Sequence, residues 1–202
     1  MKKSILLVAL VSATLLACSH SGQTSGEPAW VSLFNGKNLE GWFSHGKATW
    51  SVRDGMLVGD GGMGHIYAKP VLRDLEVKGL FRVSEKGNSG LYFRANPPKE
   101  KPDGFPVGYE AQIDNHQNAS TGWLWKPGKP TGKAKALLAR DNEWFSMRIK
   151  AVGPNIQIWV NDELVTEYTD SDFQQGHFAL QGHNPGMTIE AKELYYRDWG
   201  KK

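Results

Sequence analysis

Between Trp30 and Trp199 apolar residues recur at every second position in short runs, and no stretch sustains the three-to-four spacing of an amphipathic helix. This pattern predicts strands near 48–53, 56–59, 74–83, 88–95, 108–114, 144–151, 155–160, 164–168, 176–182 and 187–197. Gly, Pro, Asn and Asp punctuate them, with turns at GPN (153–155) and ND (161–162). Many short strands at this spacing predict an all-β sandwich or barrel. The stretches 96–107 and 115–143 read as the longest loops and hold six of the ten prolines. Long loops on a rigid scaffold often frame a site.

The first residues break the pattern. Lys2 and Lys3 precede an apolar run of 13 residues, Ile5 to Ala17, which is shorter than the roughly 20 residues a bilayer span needs. It predicts a secretory signal over 1–17. Leu15-Leu16-Ala17-Cys18 resembles the bacterial lipoprotein cleavage motif, and Cys18 is the sole cysteine, so no internal disulfide can form. The expectation is a lipid anchor at Cys18, a Ser/Gly-rich tether over 18–28 and one domain over 29–202. A chain so anchored belongs to the cell envelope. Ser19 after the cysteine favours the outer membrane, facing the periplasm or the surface.

Charge narrows the partners. The chain has 24 Lys and Arg against 21 Asp and Glu, a net +3. Residues 1–17 contain two of those lysines and no acid, which leaves +1 on the rest. With no basic cluster or basic helix, nucleic acid is excluded as a partner.

Candidate chemistry appears when the alternation is followed side by side. In "GYEAQID" (108–114), Tyr109, Ala111 and Ile113 form one row, and Glu110, Gln112 and Asp114 the other. In "NSGLYFRA" (88–95), Asn88, Gly90, Tyr92 and Arg94 oppose Ser89, Leu91, Phe93 and Ala95. In "GHFALQGH" (176–183), His177, Ala179, Gln181 and His183 oppose Phe178, Leu180 and Gly182. A sheet with one wet face explains the alternation but not these planar, hydrogen-bonding groups beside glycines. Taken singly, each residue has an ordinary structural use: an Arg94 ion pair with Glu110 or Asp114, a satisfied histidine, a loop-tying amide. Together they point to a carbohydrate or polyol site. Trp123 and Trp125, in the 115–143 stretch, either stack on a sugar ring or pin the loop, whereas Trp30, Trp42, Trp50 and Trp199 read as structural. No HExxH or Cys/His cluster supports zinc, while a divalent ion such as Ca²⁺ on carboxylates, amides and carbonyls stays compatible with the composition.

The segments WVSLFNGKNLEGW (30–42), NSGLYFR, GYEAQID, TG (121–122), EW (143–144), GHFALQGH and ELYYRDW together resemble the 3-keto-disaccharide hydrolase domain family, in the family's order across 30–199. The resemblance implies a concanavalin A-like (laminin G-like) β-sandwich of the jelly-roll kind, and cleavage of sugars oxidised at C3. It assigns the site to Asn88, Tyr92, Arg94, Tyr109, Glu110, Gln112, Asp114, Gln181 and His183. Trp123-Leu124-Trp125 departs from the family's usual continuation after TG.

A C3 ketone acidifies the C2 proton, and the glycosidic oxygen on C1 lies β to it. Base, acid and enolate donors then suffice for elimination, and adding water gives net hydrolysis. The expected roles are Glu110 or Asp114 as base, His183 as acid, and Arg94 with Gln112 as the enolate clamp. The two carboxylates, four residues apart on one strand, would stand roughly 13 Å apart. Paired glycosidase carboxylates stand about 5–9.5 Å apart. A lectin-like module that binds sugar without turnover is the competing expectation, because the fold hosts both.

Overall fold

The structure, a computed structural model, describes residues 26–101, 104–116 and 120–200. The expected signal peptide, Cys18 and most of the tether lie outside the described residues. Fifteen strands and no helix are formed among them: β1 (Val31–Ser32), β2 (Trp42–Gly46), β3 (Thr49–Arg53), β4 (Met56–Asp60), β5 (Gly64–Ala68), β6 (Leu75–Val83), β7 (Asn88–Asn96), β8 (Val107–Asp114), β9 (Leu124–Lys126), β10 (Lys129–Gly132), β11 (Phe145–Val152), β12 (Asn155–Val160), β13 (Glu163–Thr169), β14 (His177–Gly182) and β15 (Thr188–Asp198).

All pairings are antiparallel and sort the strands into two sheets. A front sheet runs β10-β9-β8-β7-β14-β5-β2, and a back sheet runs β13-β12-β11-β6-β15-β4-β3 with β1 added on β15. The apolar rows face each other between them. Leu91, Phe93, Ala111, Ile113, Phe178 and Leu180 of the front meet Val77, Phe81, Phe145, Ile149, Ile158 and Ile189 of the back in one core. Such a double-sheet body is the sandwich the alternation predicts.

The ten expected strands form within a residue or two of their expected ends, and Asn161-Asp162 and Gly153-Pro154 close hairpins as expected. Five further strands escape the pattern. β5 is buried along its whole length, so it shows no alternation. β9 and β10 form a hairpin inside the expected 115–143 loop. Pro127 and Gly128 take its two central turn positions, Gly128 at φ +80°. Pro130 sits in the sheet's edge strand, where a missing amide is tolerated.

One irregularity alters the expected rows. Phe93 pairs with Tyr109 and Asn96 with Val107, so Arg94 and Ala95 together oppose Gly108. This β-bulge puts Arg94 at φ +48°. A Cβ on Gly108 would lie 2.5 Å from Ala95 Cα, so only glycine lets the bulge close. Beyond it the faces swap: Ala95 joins Tyr67, Tyr92 and Ala179 on the outer face, while Arg94 turns under the sheet.

Candidate active site

The register of the front sheet sets its outer face in rows. Trp125, Glu110, Tyr92, Ala179, Tyr67 and Phe43 are successive cross-strand partners across six strands. One step along, Gly90 partners Gln112, and Gln181 partners His65, which partners His45. Another step places Asn88 opposite Asp114, joined by Asn88 Nδ2 donating to Asp114 Oδ2 at 3.0 Å. Cross-strand neighbours lie about 5 Å apart, so these side chains form one continuous surface.

A cavity of about 320 Å³ opens on this surface. Its floor is Glu110, Gln112, Tyr92, Gln181 and Asn88, with His183 at one end. Phe105 and Pro106 form one wall, and the β9–β10 turn with Trp125 and Lys126 forms another. Lys126 is fixed there by Asp170 and Asp172 at 2.7 and 2.6 Å, and both ion pairs push its pKa up.

Glu110 lies at the bottom with its carboxyl over Gly90. A Cβ at Gly90 would stand 2.0 Å from Glu110 Oε1, so the glycine makes room for the acid. Burial pushes the Glu110 pKa up to about 8, partly offset by the hydrogen bond that Tyr92 gives it. The carboxyl is therefore mostly protonated at neutral pH. Tyr92 is raised well above its ordinary value, first by burial and then by Glu110, and its hydroxyl accepts from Gln181 Nε2 at 3.3 Å. Gln112 Oε1 accepts from the Ile113 amide at 3.2 Å, which leaves its NH₂ group for the cavity.

His183 is shifted the other way. Burial lowers its pKa and Asp114 raises it, with a net fall, so the ring is neutral at pH 7. His65 beneath is almost fully buried and brought down to about 3, by burial first and then by His45 and His183. Gln181 Oε1, His183 Nδ1, His65 Nε2, Tyr67 Oη, His45 Nδ1 and Trp125 Nε1 are buried without a hydrogen-bond partner among the described residues. Unpaired buried polar atoms are rare because each costs about 1–3 kcal/mol. Six on one face mark it as a surface made to be completed by a polar ligand.

Of the sequence-predicted residues, Asn88, Tyr92, Glu110, Gln112, Trp125, Gln181 and His183 come together at the cavity. Asp114 is buried just behind it and accepts from Asn88 and from the His116 amide at 2.9 Å. Trp123 stands outside, with Lys133 Nζ 5.5 Å from its ring centroid. Two expectations are corrected. Arg94 is not on this face: the bulge buries it, and it donates to the carbonyls of Arg73, Phe173 and Ala151 and to Asp74. Tyr109 follows its own row into the core, where its hydroxyl donates to Asp170 and accepts from the Phe173 amide. Sequence reasoning missed Lys126, Phe105, His65 and Tyr67. The first two lie in segments without periodicity, and the others lie on the unrecognised β5.

Among the described residues no group of three or more His, Cys, Asp and Glu is placed to hold a metal ion.

The two sheets, with a pocket on the outer face of the front one, define a β-sandwich of the jelly-roll kind. A Bacillus subtilis protein of unknown function with a galectin-like fold superposes with a TM-score of 0.71 at 13% identity, over 86% of this chain and 96% of that one. The carbohydrate-binding module CBM66 from Bacillus subtilis gives 0.62 at 20% identity, over 80% and 98%. The chain belongs to the 3-keto-alpha-glucoside-1,2-lyase-like domain family, whose sequence model matches residues 29–199. A Bacteroides thetaiotaomicron protein named 3-keto-disaccharide hydrolase is 26% identical over 174 residues, 69% of this chain. The match spans 58% of that relative's length.

Proposed function

We propose that this domain cleaves 3-keto-glycosides by elimination across C1 and C2, with His183 as the base and Glu110 as the acid. The observation that carries this reading is the opposed displacement of two groups in one cavity: Glu110 held protonated, His183 held neutral. Where environments push two pKa values apart, the raised carboxyl is the proton donor and the lowered imidazole the acceptor. These roles invert the ones expected from sequence. Family membership and the relative's name support the substrate class.

In this scheme the unprotonated ring nitrogen of His183 takes the C2 proton, and the C–H pair forms C2=C3 with negative charge on the C3 oxygen. The Gln112 amide donates to that oxygen, the part Arg94 cannot play from beneath the sheet. The enolate then collapses: C3=O re-forms, C1=C2 forms, C1–O breaks, and Glu110 protonates the departing oxygen. Adding water in reverse returns a proton to C2 from His183 and one from water to Glu110, so both groups are reset and the sum is hydrolysis. Gln181 Oε1 and the Trp125 indole N–H receive sugar hydroxyls. The cavity's volume lies at the small end of ligand pockets, about 300–1,000 Å³. It suits one ring with the leaving group at the mouth.

The test is leaving-group dependence. Glu110→Gln should slow a methyl 3-keto-glucoside about 10²–10⁴-fold. With a 4-nitrophenyl aglycone, which departs without a proton, the variant should run close to wild type. A Glu110→Gln enzyme equally slow on both substrates would return Glu110 to the role of base. No turnover of either substrate by the wild type would leave the sugar-binding module as the reading. Lipidation of Cys18 belongs to the same proposal: Cys18→Ser should abolish fatty-acid labelling and release the protein from membranes, and retained labelling would exclude the anchor.

A further inference from the structure

The back sheet turns a different surface outward. Arg148, Lys78 and Tyr195 are cross-strand neighbours on β11, β6 and β15, and Trp159 on β12 partners Arg148. Next to them Lys150, Glu76 and Arg197 form a second row. Aromatic rings cap the cations throughout. Trp30 lies 4.3 Å from Lys78 Nζ and 4.2 Å from the Arg197 guanidinium. Trp144 takes Lys192 at 4.3 Å and Arg82 at 4.9 Å, Trp159 takes Arg148 at 3.7 Å, and Trp199 takes Lys150 at 4.0 Å. The three arginines also pair with carboxylates: Arg82 with Glu190, and Arg148 and Arg197 with Glu76. Lys78, Lys150 and Lys192 have no ion-pair partner among the described residues, so their charge is offered outward.

We propose that this face docks on an anionic lipid surface, with the front-sheet cavity turned away from the membrane. Two observations single out this occupant. The described chain enters the domain on this face: Trp30 lies on Lys78 and Arg197, and Val31 and Ser32 pair with β15. Only eleven residues separate Trp30 from Cys18, so an anchor there would hold this sheet nearest the bilayer. Trp, Tyr, Lys and Arg are also the residues that settle at the headgroup level. An acidic glycan is the weaker fit, because cations already cover the tryptophan faces on which sugar rings would stack. The inference is independent of the chemistry proposed for the front sheet.

The experiment uses a chain beginning at Ser19, which keeps every described residue and lacks the anchor. It should co-sediment with vesicles of phosphatidylglycerol and phosphatidylethanolamine, bind phosphatidylcholine vesicles far less, and lose binding as salt shortens the screening length. The triple variant Lys78→Gln, Lys150→Gln, Lys192→Gln should bind about tenfold or more weakly while keeping a cooperative melt, lowered only by the three lost cation–ring contacts. A control triple, Lys129→Gln, Lys133→Gln, Lys135→Gln, removes the same charge from the exposed β10 region and should bind as wild type. Equal loss in both triples, equal binding to neutral vesicles, or capture by alginate but not by vesicles would each overturn the proposal.

Discussion

The outer faces of the two sheets treat polar groups in opposite ways. On the back sheet charges stand in alternating sign or under aromatic rings: Glu76, nearly fully buried, receives Arg148 at 3.0 Å and the Trp199 indole N–H at 3.2 Å. On the front sheet Glu110 is held protonated and His183 neutral, Lys126 alone of the wall residues is charged and paired, and six buried polar atoms have no partner among the described residues. Both faces come from the same two-residue alternation, and both are rich in aromatics. Residue type alone therefore does not separate them. What does is how the buried polar atoms are paired: six on the front face lack a partner among the described residues, whereas in the two back-sheet rows only Arg197 Nε does, and the charge offered on that sheet is that of lysine tips.

The sharpest way to break this contrast is to remove the front face's titratable group. Glu110 has a folded pKa near 8 against 4.5 for the free side chain, so the native state binds its proton more tightly than the unfolded chain. The stability this lends is full below pH 4.5 and is lost as pH rises through 8. Glu110→Gln should match wild type at pH 4 and exceed it by about 4 kcal/mol at pH 8, read from urea melts. A constant difference across that range would mean the carboxyl is already ionised in the fold. His65 acts in the opposite sense: held neutral with its pKa near 3, it weakens the fold as pH falls below 6.5.

A smaller effect is expected from Gly90→Ala. The added methyl must displace the Glu110 carboxyl, which overpacking places at about 1–3 kcal/mol. It should also lower the Glu110 pKa by moving the group toward water, visible by NMR titration of the carboxyl carbon. On the back sheet the corresponding perturbation should be slight. A double-mutant cycle between Lys150→Gln and Trp199→Leu should give a coupling of about 0.5–1 kcal/mol with no effect on turnover. A back-face change that altered catalysis would dissolve the division of labour between the sheets.

Much of this was legible in the chain. Alternation placed Asn88, Tyr92, Glu110, Gln112, Gln181 and His183 on one outer face because each lies on a strand with one apolar row or, for His183, one residue past its end. It failed at Arg94 because a bulge inserts one residue without changing composition, and everything beyond it changes side. It failed for His65 and Tyr67 because a strand covered on both faces shows no period. The β9–β10 hairpin was hidden by its own prolines, which read as loop but serve a turn and an edge. Protonation states lay further out of reach. In sequence Glu110 reads as a base, and only its buried seat over Gly90 shows a carboxyl held protonated.

The buried arginine that left the candidate site has a consequence for how the protein assembles. Arg94 reaches from the front sheet to carbonyls of residues 73, 151 and 173 and to Asp74, partners 20 to 79 positions away in the chain. A guanidinium cannot shed its charge, so it is sheltered only after those distant segments have closed around it. Such a latch belongs to the last step of folding, where loop closure is already complete. It should then act on escape rather than entry: Arg94→Met would leave the refolding rate nearly unchanged and speed unfolding, setting how long each molecule keeps its shape.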